Sequence, residues 1–347
     1  MTVLTTDLLR RIPKAELHCH LDGSVRPQTL LELAREQRKA MPRDDAEALR
    51  DYMRVDDARN LEEYLERFSI TLSVMQQAEA MERIAYELAE DCAKEGVRYL
   101  ETRYAPILNI RDGLTMEQAV EAPLRGLRRA ERDFGIVSRV IVCAIRNMPP
   151  SASLEAAWTA VDFKGEGVVG FDLAGGEIGN PASLHAPAFH HCLEHGLPCT
   201  CHAGEGDGAA SVALAMHTCH AHRIGHGTHL IDDPVLMHEA IEKGIAIECC
   251  LTSNVQTRAT ASYETHPLRR YFEAGLQVSI NTDNRLMSGT DLVTEYGMAA
   301  RHLDFTFDEL LRLARQGFTN AFLPTDERVA LVERIDAEMA ALRQEVA

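Results

Sequence analysis

The segment "AELHCHLDG", residues 15–23, sets His18 and His20 one residue apart, just ahead of Asp22 and a glycine. On an extended strand, residues i and i+2 share a face, so both imidazoles address one point. Alone, such a pair is ordinary packing more readily than metal ligation. Other short motifs carry the same kinds of side chain: Asp172 in "FDLAGG", His202 and Glu205 in "HAGE", His226 in "RIGHG", Thr252-Ser253-Asn254 in "LTSN", and Asp283-Asn284 in "NTDN". Each has a plain explanation by itself. His226 suits a core imidazole bonded to backbone, Asp283 a helix cap, and Glu205 a charge at a helix N-terminus. One metal site accounts for them together. His18, His20, His202 and Asp283 supply three imidazoles and a carboxylate, a set that suits zinc or another borderline divalent ion and leaves a position for water. Zinc lowers the pKa of such a water to about 7. His226 and Glu205 are then free for proton handling. The "DLAGG" segment offers no lysine to bridge a second metal, so one ion per chain is expected.

These residues must be carried to one place. Eight runs read as strands: "AELHCHL", "GVRYLETRYAP", "SRVIVCAIR", "GVVGFDLAG", "LPCTCHAGE", "RIGHG", "GIAIECCLTSN" and "LQVSINTD". Several are nearly continuous apolar runs, as parallel strands buried on both faces require. Helical periodicity lies between them. In "AEAMERIAYELAEDCAKEG", Met81, Ile84, Ala85, Leu88, Ala89 and Cys92 form one apolar stripe, with Gly96 to end the helix. Strands alternating with helices predict an α/β chain folded as a single (β/α)8 TIM-type barrel over residues 1–347, with a doubly wound open sheet as the other arrangement of the same pattern. Residues 25–95 exceed one crossover, so extra helices are expected after the first strand. In a barrel of this kind, chemistry gathers at the C-terminal ends of the strands, where the motifs above fall. His185, His190, His191, His195, His217, His220, His222, His229 and His238 lie in helix or loop stretches and read as surface or packing residues.

Composition narrows the function classes. The 347 residues carry a formal charge of -17, which argues against nucleic acid or an anionic membrane surface as partner. No run of 18 apolar residues predicts a membrane span, and the N-terminus lacks the apolar core of a signal peptide. Nine cysteines, odd in number and without a C-x-x-C, predict free buried thiols and a cytoplasmic location. Oligomeric state is not legible.

In order and spacing, "PKAELHCHLDGS", "DLAGGE", "HAGE", "RIGHG", "LTSN" and "SINTD" resemble the adenosine deaminase family of the amidohydrolase superfamily, from about residue 12 to about residue 325. The resemblance implies zinc held by His18, His20, His202 and Asp283. It implies that Glu205 protonates the purine ring nitrogen beside the reacting carbon, and that His226 orients and deprotonates the attacking water. Asp22 would bind a ribose hydroxyl, and the backbone of Gly175 the far ring nitrogen. The implied reaction is hydrolytic deamination of adenosine and 2′-deoxyadenosine, small-molecule nucleosides, with release of ammonia. The same chemistry on adenine or a 5′-modified adenosine such as aminodeoxyfutalosine is the nearest alternative. A cyclic amidohydrolase or an inactive binding homologue stands further off. No basic cluster accompanies the motifs, which weighs against AMP.

One position departs from the family pattern. Asn284 stands where a second aspartate is common, and its amide N–H offers a ring acceptor a hydrogen bond that an ionised aspartate does not. In "NLEEYLERF", Leu61, Tyr64, Leu65 and Phe68 share one helical face. That face is either core packing or a lid, in which Leu61 and Leu65 would exclude water from the substrate.

Overall fold

The computed structural model describes residues 3–56 and 60–346, without the side chain of Glu62. The predicted runs form eight strands: β1 (Lys14–His20), β2 (Val97–Tyr104), β3 (Val137–Ile145), β4 (Val168–Ala174), β5 (Thr200–Ala203), β6 (Arg223–His226), β7 (Ala246–Cys249) and β8 (Gln277–Ile280). Spatial order follows chain order, β1 to β4 in one parallel sheet and β5 to β8 in another. Single parallel bridges span the two seams, Phe171 with Cys199 and Cys19 with Asp283. At the second seam the Asp283 N–H donates to the His18 carbonyl at 2.9 Å, and the His20 N–H to the Asp283 carbonyl at 2.7 Å. The expected α/β class is therefore the class observed, its ring of eight parallel strands pinned rather than continuously laddered at two places.

Parallel neighbours need crossovers, and helices supply them. The helix Ala78–Lys94 buries the predicted stripe, including Met81, Ile84, Leu88 and Cys92. The extra segments after β1 are the helices Pro27–Gln37, Ala46–Met53, Leu61–Leu65 and Phe68–Val74. Two local expectations are corrected. The single helical face through "NLEEYLERF" is split at Glu66 and Arg67, where Arg67 donates to the Tyr52 carbonyl at 3.2 Å. The "LTSN" segment does not extend β7 but opens the helix Leu251–Gln256, whose first turn closes through Asn254 N–H to Cys250 carbonyl at 2.9 Å.

The strands face apolar helices on their outer side, while the inside holds charge. Arg103, Arg223, Glu101, Glu248 and Asp172 are all at most 1% exposed. All nine cysteines are buried and free. Among the described residues no helix is long and apolar enough to cross a membrane.

Helix Ala78–Lys94 packs on helix Met116–Phe134 so closely that a Cβ at Gly126 would stand 2.1 Å from the Glu82 carbonyl oxygen. Gly126→Ala should force these helices apart and cost about 1–3 kcal/mol, the usual range for overpacking. Denaturant unfolding measures it, and an unchanged midpoint would show that the helices yield freely.

Candidate active site

At the C-terminal ends of the strands, residues distant in sequence meet. β1 brings His18 and His20, β5 His202, β6 His226, and the turn after β8 Asp283. One donor atom each from His18, His202, His226 and Asp283 lies within 4.8 Å of the others. His20 joins them, its Nε2 3.1 Å from His202 Nε2 and 3.4 Å from Asp283 Oδ1. Five candidate donors thus converge, one more than the sequence assigns to the ion. His18 Nε2 is buried, 3.3 Å from Asp283 Oδ1, and makes no well-formed hydrogen bond. Burial and mutual repulsion hold His20 and His226 well below the ordinary histidine range, which leaves both rings neutral. The donor set fits a divalent ion such as zinc.

Carboxylates behind the imidazoles aim them. Glu248 Oε2 meets His18 Nδ1 at 2.8 Å, and Asp172 Oδ2 meets His202 Nδ1 at 3.0 Å. Against the cost of burial, Arg103 and Arg223 keep Glu248 ionised and well below the usual carboxylate range. His226 and Asp283 are also set by backbone. Both have left-handed φ, +64° and +59°, and for non-glycine residues such strain persists only where surroundings impose it. Ser253 Oγ donates to Asp283 Oδ2 at 2.6 Å.

Glu205 stands beside this cluster, its Oε2 3.4 Å from His226 Nε2, and Thr257 donates to its Oε1 at 3.0 Å. Burial, with the charges of Asp283 and Glu177, pushes the Glu205 carboxyl well above its usual range. The loop bearing it is gripped by Glu177, whose carboxylate accepts from the backbone N–H groups of Gly204, Glu205, Gly206 and Asp207 at 2.7–3.2 Å.

A cavity of about 410 Å³ opens over the cluster and includes Asp22, Leu61, Tyr64, Leu65, Gly175 and Asn284 in its wall. Asp22 is buried, with Oδ1 unpartnered, and burial lifts its pKa to about 7. Asn284 is buried and its Oδ1 is also unpartnered. Gly175 adopts φ +103°, and a Cβ there would sit 2.7 Å from Asn147 Oδ1. Every sequence-assigned site residue therefore belongs to this one place. A larger cavity, about 890 Å³, lies elsewhere, beside Arg139 and Phe322, and contains none of them.

Sequence reasoning missed Arg103, Glu177, Glu248 and His266. The first and third carried a usable signal, a charge set within a strand run, where charged residues are seldom buried unless paired. Glu177 ends the quoted "DLAGGE" without any hint of its four backbone partners. His266, whose Nε2 lies 3.1 Å from Asn254 Oδ1 behind His226, gave no signal.

Asp172 touches both an imidazole of the cluster and Arg103 Nη1, the latter at 3.0 Å. Asp172→Asn should weaken zinc binding by about 10- to 100-fold, the usual cost of losing a carboxylate behind a ligand. Competition with a chromogenic chelator reads this directly, and unchanged affinity would separate Asp172 from the metal site.

The chain matches the adenosine deaminase family over residues 13–338. A probable adenosine deaminase from Dictyostelium discoideum is 40% identical over 92% of this chain, which spans only 42% of that relative. An adenosine deaminase from Enterococcus faecalis is 38% identical over 94% of this chain and 97% of its own length. Among solved structures, an adenine deaminase from Arthrobacter aurescens superposes with TM-score 0.87 at 25% identity, covering 94% of this chain and 99% of that one. An amidohydrolase from Burkholderia ambifaria with bound Zn gives 0.88 at 26%, covering 100% and 96%. The N6-methyl-AMP deaminase of Arabidopsis thaliana gives 0.84 at 28%, covering 96% and 98%. A hydrolase for the C–N bond of a cyclic amidine, this chain belongs to the adenosine deaminase family.

Proposed function

We propose that the protein deaminates adenosine and 2′-deoxyadenosine, using one zinc ion held by His18, His20, His202 and Asp283. The observation that carries this reading is the placement of buried Glu205 against His226 in the cavity that also holds His20, His202 and Asp283, with His18 Nε2 3.3 Å from Asp283 Oδ1. When bound, zinc supplies Lewis-acid activation of a water nucleophile at neutral pH. Attack on an aromatic C–NH2 carbon builds negative charge on the ring, so an acid must meet the adjacent ring nitrogen as attack proceeds. Glu205 has the burial to hold that proton until it is needed. His226 faces the oxygen side of the site, Asp22 takes a ribose hydroxyl, and the Gly175 backbone and Asn284 address the ring nitrogens. Leu61 and Leu65 shield the reacting face from water, and ammonia leaves with the 6-oxo purine as product.

A nucleotide is the second reading. One basic residue that the sequence did not place near the motifs, Arg111, lines the cavity. The similar Arabidopsis enzyme is named for N6-methyl-AMP. Amine release from adenosine, 2′-deoxyadenosine, adenine, AMP, N6-methyl-AMP and aminodeoxyfutalosine by zinc-loaded protein separates these readings. Adenosine and its deoxy form should turn over fastest, and Glu205→Gln should lower kcat by about 10²- to 10⁴-fold, as for a lost general acid. Faster turnover of a 5′-phosphate would transfer the assignment to nucleotides. No purine turnover by zinc-bound protein would sink the deaminase reading.

Leu65→Ala tests the lid. KM for adenosine should rise several-fold with the melting temperature unchanged. A lower melting temperature at normal KM would return Leu65 to simple packing.

A further inference from the structure

A buried chain of hydrogen bonds runs from His226 away from the cavity. Asn254 Nδ2 lies 2.9 Å from His226 Nδ1, and Asn254 Oδ1 lies 3.1 Å from His266 Nε2. The Leu268 backbone N–H donates to His266 Nδ1 at 3.1 Å. His226, Asn254 and His266 are at most 2% exposed, so water does not substitute for any of these contacts.

The direction of the chain follows from its far end. A backbone N–H is only ever a donor, so His266 Nδ1 accepts from Leu268 and carries no proton. The imidazole proton of His266 is then on Nε2, which donates to Asn254 Oδ1. That fixes the amide orientation, and Asn254 Nδ2 donates to His226 Nδ1. His226 in turn carries its proton on Nε2, the nitrogen that faces Glu205 Oε2 at 3.4 Å. The reverse direction, or a charged His266, would set two N–H donors against each other at Leu268, leaving buried donors unsatisfied at the full desolvation cost. Burial also holds His266 far down, at about 3, so it stays neutral.

We propose that Asn254 and His266, anchored on the Leu268 N–H, lock His226 as the Nε2–H tautomer, so that His266 is a positioning residue and His226 meets the attacking oxygen as an orienting donor. This deepens the deaminase reading and rests on it for the kinetic part alone. It also revises the role that the family resemblance implies. A neutral His226 protonated on Nε2 has no lone pair toward the site and does not deprotonate the nucleophile. Glu205 gives its proton to the ring nitrogen, and the carboxylate so formed accepts the proton that leaves the attacking oxygen. Helix capping alone does not explain His266, because the cap uses Nδ1 whereas Nε2 is spent on Asn254.

The test is NMR of the imidazole nitrogens in protein labelled with 15N-histidine, with and without zinc, the His226 signals being assigned by their loss in His226→Ala. The wild type should show Nε2 protonated and Nδ1 bare. In Asn254→Asp the carboxylate accepts from both rings, so the His226 proton should move to Nδ1. The kcat for adenosine should then fall by about 10- to 100-fold with KM little changed, the scale typical of lost supporting contacts. His266→Leu should lower kcat similarly, and His266→Gln, whose amide still donates to Asn254, should recover most of that loss. A wild-type proton on Nδ1 overturns the proposal, as does a His226 tautomer unmoved by Asn254→Asp. If Asn254→Asp does not fold, the wild-type spectrum still decides the tautomer, and the two His266 variants test the relay. Should adenosine prove not to be a substrate, the spectra answer independently of turnover.

Discussion

Arg103 and Arg223 stand inside the strand ring, cut off from solvent, and Glu248 between them accepts from both, at 2.9 and 2.7 Å. Removing such ions from water costs several kcal/mol each, so burial of this kind is poor evidence for stability. What the arrangement contributes is direction. Glu248 Oε2 is shared between Arg103 below and His18 above, and Asp172 divides itself in the same way between Arg103 and His202. Arg103 and Arg223 keep Glu248 ionised, His202 and Arg103 hold Asp172 low, and the two carboxylates fix the Nδ1 side of each imidazole, which turns Nε2 toward the cavity. The strand-end chemistry thus depends on a charge network one layer beneath it.

The second constraint is the seam between β8 and β1. Asp283 belongs to the C-terminal part of the chain, yet its backbone pairs on both sides with the strand that carries His18 and His20. Asn281 Oδ1 and the Thr282 hydroxyl add contacts to Leu17 and Glu16 on that strand. Closing the ring and assembling the ligand set are consequently one event, since the bridge that joins the last strand to the first also presents the carboxylate to the imidazoles. The left-handed backbone at Asp283 and His226 fits that view, because strain at both positions is tolerated where closure leaves no alternative.

Around this rigid floor the walls are built from less regular pieces. Short helices after β1 contribute Leu61, Tyr64 and Leu65, and the Glu177 carboxylate holds the Glu205 loop by its backbone. The floor is specified by paired charges and strand register, whereas the walls rely on side chains borrowed from loops and short helices. Differences of substrate among related chains would be easiest to build in the walls, where a change need not disturb the ligands.

The eight strand runs, the helical stripe of residues 78–94 and the identity of the strand-end residues were legible in the sequence, because each is local: short apolar runs, period 3.6, and polar side chains at the ends of those runs. The inner charges also stood in plain sight, Glu101 and Arg103 in a mixed strand run and Glu248 in an apolar one, but their pairing did not. Packing settled which carboxylate sits behind which imidazole, that Arg111 lines the cavity, that the "NLEEYLERF" helix breaks, and that His266 stands behind His226 through Asn254. Those outcomes depend on distances across the ring between segments as far apart as His18 and Glu248. Pair geometry of that kind is created by packing and leaves no periodicity in the chain.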